Sequence, residues 1–316
     1  MPEHIGYIGP GLMGKGIIKT LLGKRFPVTI YTHREGLDIA ELIEVGADAT
    51  NSITELADRS TVVLLTLPTS NEVESVILGA PGLFTSLKEG SVVVDLSTSH
   101  PASTRMLAAR LKERQIEMLD SPMTGRPAQA HAGELNLMVG GDRPVFERCL
   151  PIFKVIAKNI FHVGPIGHGN TVKLINNFLS QLANAGVAEI LPLAVKCGLD
   201  IKALYDVIRV SGGNSRAFET TVPAIATRDF AVTFQLKLAH KDVYYVSSLG
   251  KEMGAPLPMV NSLLSVLDMA KAYGLGEENV SALVKLWESF DGVEVKSEKF
   301  ESSRMRKSSI FPLPKT

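Results

Sequence analysis

A lone lysine stands on an otherwise uncharged helical stretch, and it is the residue of this chain best suited to move a proton. The pattern over Thr171–Ala188 is helical, and Lys173 is its only charged residue. Polar residues recur along one stripe at helical spacing: Asn170, Lys173, Asn176, Asn177, Ser180, Gln181 and Asn184. A stripe that faces water would be rich in Glu and Lys, whereas Asn and Ser are poor helix formers. One ammonium group among amides and hydroxyls suits proton transfer to a small polar substrate. The alternative is an ordinary amphipathic helix with an amide-rich wet face.

The backbone before this helix favours the functional interpretation. Glycines occupy positions 164, 167 and 169. Glycine lets the backbone approach a ligand closely or adopt positive φ. The apolar side of the same helix, at Val172, Ile175, Leu179, Leu182 and Val187, is predicted to build a helical core.

The N-terminus carries a dinucleotide-binding pattern. Gly9, Gly11 and Gly14 form G-x-G-x-x-G between a predicted strand, His4–Ile8, and an apolar helical pattern. The first glycine permits the tight turn, the second admits a pyrophosphate and the third lets the helix pack on the strand. The pyrophosphate then lies on the amides of the helix N-terminus. A glycine-rich turn without a ligand is the weaker interpretation.

The end of the second predicted strand, Val28–Tyr31, selects the cofactor. An NAD site usually has Asp or Glu at this point to hold the ribose hydroxyls, but here no acid occurs before Glu35. Thr32, His33 and Arg34 could instead bind a 2′-phosphate, so the sequence favours NADP(H) over NAD(H). The alternative is that Arg34 points into solvent.

Further strands predict a doubly wound parallel sheet. The runs TVVLLTL and SVVVDL read as buried parallel strands. Ligands bind at the carboxyl ends of such strands, which makes Leu67, Pro68 and Thr98 candidate cofactor contacts. Thr98 could equally be the N-cap of the next helix. The predicted organisation is a Rossmann domain at 1–163, an all-helical substrate and oligomerisation domain at 164–291, and a mobile basic tail at 292–316. The tail could instead wrap a neighbouring subunit through Ile310 and Phe311.

Together these pieces resemble the β-hydroxyacid dehydrogenases, which include 3-hydroxyisobutyrate dehydrogenases and tartronate and succinic semialdehyde reductases. The resemblance spans roughly residues 5–289 and rests on four motifs in order. They are Gly9-Pro10-Gly11-Leu12-Met13-Gly14, Asp120-Ser121-Pro122-Met123-Thr124-Gly125-Arg126, the glycine-rich approach through Lys173 to Asn177, and Lys241-Asp242.

The resemblance implies a role for each matching residue. Lys173 would be the catalytic acid and base, and Asn177 would hold the substrate or orient Lys173. Thr124 and Gly125 would bind the substrate carboxylate. Lys241 would lie near the cofactor, and Asp242 would position the lysine or the substrate. Without the resemblance, Lys241 and Asp242 read as a surface ion pair on a helix.

Two positions depart from the family pattern D-A-P-V-S-G-G. Thr124 replaces serine, which keeps the hydroxyl and narrows the pocket, and Arg126 replaces the second glycine. The Gly-Arg pair is similar to sulfolactaldehyde reductases, which implies an anion pocket of Arg126, Asn176 and Ser180 for a sulfonate. Alternatively, Arg126 turns outward and braces the loop through Pro127.

Composition bounds the remaining possibilities. The chain has 33 basic and 33 acidic residues, so nothing indicates a nucleic-acid or membrane partner. Its two cysteines and seven histidines show no metal-ligand spacing, so no metal is predicted. The sequence predicts neither a secretory signal nor an apolar run able to span a bilayer, and we therefore expect a cytoplasmic enzyme. The apolar helical half predicts a homodimer or homotetramer.

The leading hypothesis is an NADP(H)-dependent reductase of a short aldehyde-acid that belongs to the CH–OH oxidoreductases. The alternatives are a sulfolactaldehyde-type reductase, an imine reductase, and a non-catalytic module that only binds the cofactor. Lys173 argues against the last two.

Overall fold

The fold begins with a nine-stranded sheet, described here from a computed structural model that covers residues 3–32 and 38–300. The strands are short and mostly apolar: β1 Ile5–Ile8, β2 Val28–Tyr31, β3 Asp48–Thr50, β4 Val62–Leu65, β5 Val92–Asp95, β6 Glu117–Asp120, β7 Met123–Thr124, β8 Leu135–Gly140 and β9 Ala157–Gly164. Their order across the sheet is β3-β2-β1-β4-β5-β6-β8-β7, with β9 paired to β8.

The first six strands in this order are parallel, which confirms the predicted Rossmann sheet. The chain reverses at β8, which is antiparallel to both β6 and β7. Ile5, Leu64 and Val94 belong to one core cluster, while Val63 and Val93 belong to a second one. Apolar runs of this kind form because helices cover both faces of a parallel sheet.

Eight helices accompany the strands: α1 Leu12–Gly23, α2 Ala40–Glu44, α3 Ile53–Arg59, α4 Ser70–Leu78, α5 Leu83–Ser86, α6 Pro101–Lys112, α7 Pro127–Ala132 and α8 Arg143–Ile156. The turn after β1 leads directly into α1, so the glycine motif lies between a strand and a helix as the sequence predicts.

Helices dominate residues 168–300. They are α9 His168–Lys196, α10 Ile201–Ile208, α11 Arg216–Ala226, α12 Leu236–Glu252, α13 Pro258–Ala272, a 3₁₀ turn Val280–Leu283, and α14 Val284–Asp291. Among the described residues of this half, extended pairing is limited to one bridge between Gln235 and Asn279. The predicted all-helical half is thus confirmed.

The chain divides into two compact units between Ile175 and Asn176. The predicted boundary after residue 163 is earlier, because the first turns of α9 bond to the end of β6 and so belong with the sheet.

The segment after α14 differs from the predicted mobile tail as far as Phe300. Val295 is fully buried, and the Phe300 ring packs edge-on against Tyr205 at 5.3 Å between centroids. Ile310 and Phe311 lie outside the described residues.

The long helix α9 buries much of its polar stripe, which its composition predicts not to face water, and exposes most of the apolar side predicted to build a core. Asn177 and Gln181 are only 7% and 6% exposed, whereas Ile175 and Leu179 are 52% and 59% exposed. Of the five apolar residues predicted to build a core, Val187 is buried. The reason is that the amides find partners inside the fold, as when Asn184 accepts a hydrogen bond from Thr221.

Within the described ranges, α9 is also the one helix long and apolar enough to cross a membrane by length and composition. The sequence prediction that no such run exists is therefore wrong by this criterion. Core helices of soluble proteins meet the same criterion, and 44% of the stretch is buried inside the fold.

Candidate active site

The glycine loop after β1 is shaped to receive a dinucleotide. Gly9 has φ +93°, and a Cβ there would strike the Thr66 carbonyl. A Cβ on Gly14 would lie 2.5 Å from the Gly9 carbonyl oxygen, so α1 packs closely on the loop. A Cβ on Gly11 would meet nothing within 4 Å, and no side chain caps the first amides of α1 at that point. The open space at Gly11, next to bare helix amides, fits a pyrophosphate. Around these glycines, Pro10 is buried, Met13 is half-buried and Leu12 is 68% exposed.

The predicted cofactor contacts at the strand ends lie together on the carboxyl side of the sheet. The Leu67 amide donates to Ser97 Oγ at 2.9 Å, which joins the loops after β4 and β5. Pro68 is exposed and Thr98 is half-buried. The alternative role of Thr98 as a helix cap is wrong, because His100 is the N-cap of α6 and its Nδ1 accepts from the Ala102 amide.

The cofactor-selecting position after β2 is described only in part. The Thr32 amide donates to the Thr50 carbonyl, which extends the pairing of β2 with β3. Its side chain is half-buried. His33 and Arg34 lie outside the described residues.

The substrate loop presents a hydroxyl, a glycine and a guanidinium in sequence. Thr124 Oγ1 accepts from the Asn136 side chain at 3.0 Å, and Asn136 accepts in turn from Asn159 at 2.7 Å. Gly125 has φ +141°, a conformation that favours glycine. Arg126 is exposed, and within residues 3–32 and 38–300 its guanidinium has no hydrogen-bond or ion-pair partner. The loop thus leaves the Thr124 hydroxyl proton and the Arg126 cation available to an anion.

Lys173 lies in the second turn of α9 and is half-buried. The start of this helix is held by Asp120, whose carboxylate accepts from the Gly167 and Asn170 amides, both at 2.7 Å. Burial raises the pKa of Asp120 to about 6, and the nearby Asp95 carboxylate adds to the increase.

In the second unit, the Asn177 side chain donates to Asp242 Oδ2 at 2.6 Å and accepts from Asn176 at 3.2 Å. Lys241 Nζ lies 3.0 Å from Asp242 Oδ1 and 5.1 Å from the Tyr245 ring centroid. Asp242 is 2% exposed, so the interpretation of Lys241 and Asp242 as a surface pair is wrong. Asn176 is exposed and Ser180 is half-buried, while Arg126 belongs to the first unit. The proposed grouping of these three residues stays a prediction.

Sequence reasoning overlooked Asn136 and the bonds made by Asp120. Asn136 interrupts the apolar β8 run between Leu135 and Leu137. A polar residue within a buried strand is the local signal that could have indicated a side chain next to the site. Asp120 was part of a recognised motif, but its partners are 47 and 50 residues away, beyond any local pattern. No group of three or more His, Cys, Asp or Glu side chains that could hold a metal occurs in the described part of the chain.

Two family models cover most of the sequence. Residues 4–164 match the NAD-binding domain of 6-phosphogluconate dehydrogenase, and residues 167–287 match the NAD-binding domain of NADP-dependent 3-hydroxyisobutyrate dehydrogenase. The chain belongs to the β-hydroxyacid dehydrogenase family. It is an NAD(P)-dependent oxidoreductase acting on CH–OH groups.

Individual relatives extend along nearly the whole chain. A 2-(hydroxymethyl)glutarate dehydrogenase from Eubacterium barkeri is 38% identical over 292 residues, which are 92% of this chain and 97% of that one. An NAD-dependent L-serine dehydrogenase from Pseudomonas aeruginosa is 32% identical over 92% of this chain and 99% of its own. Among solved structures, a 3-hydroxyisobutyrate dehydrogenase from Salmonella typhimurium superposes with a TM-score of 0.81 at 28% identity, covering 90% of this chain and 99% of that one.

Proposed function

We propose that this enzyme interconverts a short β-hydroxy acid and the corresponding aldehyde-acid with NADP(H), and that Lys173 is the general acid and base. The observation that carries the proposal is the placement of Lys173 as the one charged residue of 171–188, on the face of α9 that the fold buries. A cation held among amides is suited to exchange a proton with one oxygen atom of a small substrate.

The chain supplies the proton, and the cofactor supplies the hydride when bound. In reduction, Lys173 Nζ donates its proton to the carbonyl oxygen of the aldehyde. In oxidation, the neutral amine removes the hydroxyl proton. Asn177 is one turn further along α9, and Asp242 fixes its amide by accepting one of its two N–H groups. The other N–H can then be donated to the substrate oxygen, while the amide oxygen of Asn177 is the atom able to accept from Lys173.

Thr124 and Gly125 would hold the carboxylate next to the reacting carbon. Because Asn136 already donates to Thr124 Oγ1, the threonine hydroxyl proton is directed elsewhere and can be donated to an anion. The Gly125 backbone adds a further possible donor. This assignment explains why the motif has a hydroxyl followed by a residue without a side chain.

Arg126 extends the proposal to substrates with a second acid group. Its exposed guanidinium is not engaged by any described residue, and guanidinium binds carboxylate or sulfonate bidentately. The Eubacterium barkeri relative is named for 2-(hydroxymethyl)glutarate, a dicarboxylic acid bearing a hydroxymethyl group. A dicarboxylic hydroxy acid is therefore favoured, and a sulfonate such as sulfolactaldehyde is the second candidate.

The preference for NADP(H) rests on Thr32, His33 and Arg34, which replace the usual acidic residue. The description of the second family model as NADP-dependent agrees with it. We further propose a cytoplasmic homodimer or homotetramer in which a second copy covers the exposed apolar face of α9.

The first test compares the wild-type enzyme with Lys173→Ala on a panel of aldehyde-acids. The panel contains succinic, tartronate and methylmalonate semialdehydes, glyoxylate and sulfolactaldehyde, each with NADPH and NADH. General acid catalysis contributes about 10²–10⁴-fold, so we expect the variant to lose about that factor in kcat while it binds NADPH with little change.

Four outcomes would redirect the proposal. Retained turnover in Lys173→Ala would remove the assigned role. Faster reduction of cyclic imines than of any semialdehyde would favour an imine reductase. Tight NADPH binding without turnover of any carbonyl compound would favour a non-catalytic module. A higher kcat/KM with NADH would reverse the cofactor preference.

A further inference from the structure

Asp120 joins the sheet to the helix that carries Lys173. Its carboxylate is fully buried at the end of β6, and its two oxygens accept separately from the Gly167 and Asn170 amides at 2.7 Å. The first amides of a helix have no partner within the helix, and a negative charge there is stabilised by the helix dipole. Asp120 therefore acts as a cap for α9 that comes from a distant strand.

Two glycines allow this close approach. A Cβ on Gly140 would strike Asp120 Oδ1, and a Cβ on Gly169 would lie 2.9 Å from Asp120 Oδ2 and 2.7 Å from the Asp120 carbonyl oxygen. A Cβ on Gly169 would also lie 2.3 Å from the Met138 carbonyl oxygen, so neither position has room for a larger residue. The start of α9 is consequently seated against the sheet end with little freedom to shift.

Asn170 carries the connection onward to the loop that contains Thr98. Asn170 Oδ1 accepts from the Ser99 amide at 2.9 Å, and Ser99 Oγ donates to Asp95 Oδ2 at 2.6 Å. The other Asp95 oxygen accepts from the Ser97 amide at 2.9 Å. Residues 97 and 99 are thus both fixed, so Thr98 between them is held at a set position relative to α9.

The register of the sheet places side by side the two carboxylates that hold α9 and the Thr98 loop. Asp95 and Asp120 are directly paired on neighbouring parallel strands, and both are completely buried. One holds the loop predicted to contact the nicotinamide ribose, and the other holds the helix of the predicted proton donor. Buried charges are costly unless hydrogen-bonded, and these carboxylates have their partners in those two segments.

We infer that Asp120 is a positioning residue: together with Asn170, it sets the place of Lys173 relative to the Thr98 loop, and thereby aligns proton donation with hydride transfer. The inference rests on the proposed role of Lys173. It assigns no contact between Asp120 and the substrate, so its loss should impair the chemical step more than binding.

The test compares Asp120→Asn with Glu288→Gln. Glu288 is a suitable control because it is also a nearly buried carboxylate, and it accepts from the Arg228 side chain and the Val295 amide in the second unit. In Asp120→Asn, one oxygen remains as an acceptor while the new amide group faces the other N–H. Each variant is measured for NADPH binding stoichiometry, kcat, KM, the isotope effect with 4-deuterated NADPH, and hydrogen exchange over residues 165–175.

We expect Asp120→Asn to bind NADPH stoichiometrically while its kcat falls about tenfold to a hundredfold, the cost of misplacing a reacting group by about 1 Å. KM should change much less, the deuterium isotope effect should increase, and residues 165–175 should exchange faster. Glu288→Gln should show none of these changes. If Asp120→Asn fails to fold, Asn170→Ala takes its place, since it keeps the backbone cap and loses the side-chain bonds to Ser99 and Thr104.

The inference would be overturned if Asp120→Asn kept the wild-type kcat per bound NADPH and the wild-type isotope effect. Unchanged hydrogen exchange over residues 165–175 in that variant would overturn it as well. Failure of the proposed function looks different, because Lys173→Ala would then retain turnover whatever Asp120→Asn does. If the wild-type enzyme turned over no compound in the panel, the exchange measurement alone would decide whether Asp120 holds α9.

Discussion

In the proposed site, substrate selection depends on which hydrogen-bond donors of Thr124 and Arg126 have no partner among the described residues. In the chain from Asn159 to Asn136 to Thr124, the Asn136 amide occupies one acceptor site of the threonine oxygen, and the hydroxyl proton can be donated to an anion. Arg126 is exposed two residues later and makes no ion pair within the described ranges. A substrate with two acid groups can use both donors, whereas a monoacid uses one.

Arg126→Gly, which restores the residue of the family pattern, tests this division. We compare 2-(hydroxymethyl)glutarate with 3-hydroxyisobutyrate, since both carry a hydroxymethyl group beside a carboxylate and only the first has a second carboxylate. A hydrogen bond to a charged group is worth about 1.5–3 kcal/mol, so kcat/KM for the diacid should fall about 10- to 100-fold.

The monoacid should respond to Arg126→Gly by less than about threefold, since it loses no direct contact. Arg209→Ala removes another exposed arginine and controls for the change in net charge. Equal losses on both substrates, or no loss on the diacid, would mean that Arg126 turns outward and braces the loop instead.

At the level of elements, the turn from β1 into α1 separates glycines that the packing requires from Gly11, which is predicted to face the cofactor. Gly14 is buried, and a Cβ there would crowd the Gly9 carbonyl and the Tyr7 ring. Gly11 has an extended backbone, with φ −76° and ψ −161°, and open space beside it. Of these two glycines, only Gly11 can accept a methyl group without disturbing the packing of the protein.

Gly11→Ala and Gly14→Ala should consequently fail in different ways. Gly11→Ala should change the free energy of unfolding by less than about 0.5 kcal/mol, because its Cβ meets no protein atom. It should weaken NADPH binding, since the same Cβ occupies space for the pyrophosphate. Gly14→Ala should lose about 1–3 kcal/mol of stability through overpacking. Thermal unfolding and fluorescence titration measure both quantities, and tight NADPH binding by Gly11→Ala would contradict the assigned cofactor loop.

The sequence predicted the parallel strands and their glycine turn well because apolar runs and glycine spacing are local signals. It predicted that the polar stripe of α9 does not face water, but it wrongly assigned the helical core to the apolar side. Periodicity separates the two faces of a helix, but it assumes that the apolar face is the inner one. Here Gln181, Asn184 and Thr221 satisfy one another inside the fold, a long-range arrangement that no local pattern contains. The carboxylate cap from Asp120 escaped prediction for the same reason.

At the level of the whole molecule, the orientation of α9 leaves apolar side chains that a monomer would expose to water. Val172, Ile175, Leu179, Ile190 and Leu193 are each between 39% and 59% exposed along α9. Exposed apolar patches of this extent mark interaction sites in soluble proteins. A second copy of the same helix is the partner we propose, since two identical apolar stripes are self-complementary about a two-fold axis.

Replacing Ile190 and Leu193 together by lysine should convert the assembly to monomers. The two positions are 52% and 50% exposed, so the substitutions leave the core of the second unit intact. Burial of each side chain in an interface contributes about 1.5–3 kcal/mol, and each lysine would add the cost of an unpaired charge there. The dissociation constant should therefore increase by more than about a hundredfold. Light scattering after size exclusion gives the mass directly.

Val210→Lys changes a residue that is 79% exposed away from α9 and should leave the mass unchanged. A wild-type chain that is monomeric at micromolar concentration, or a double variant that stays assembled, would show that the α9 face is not where the copies meet.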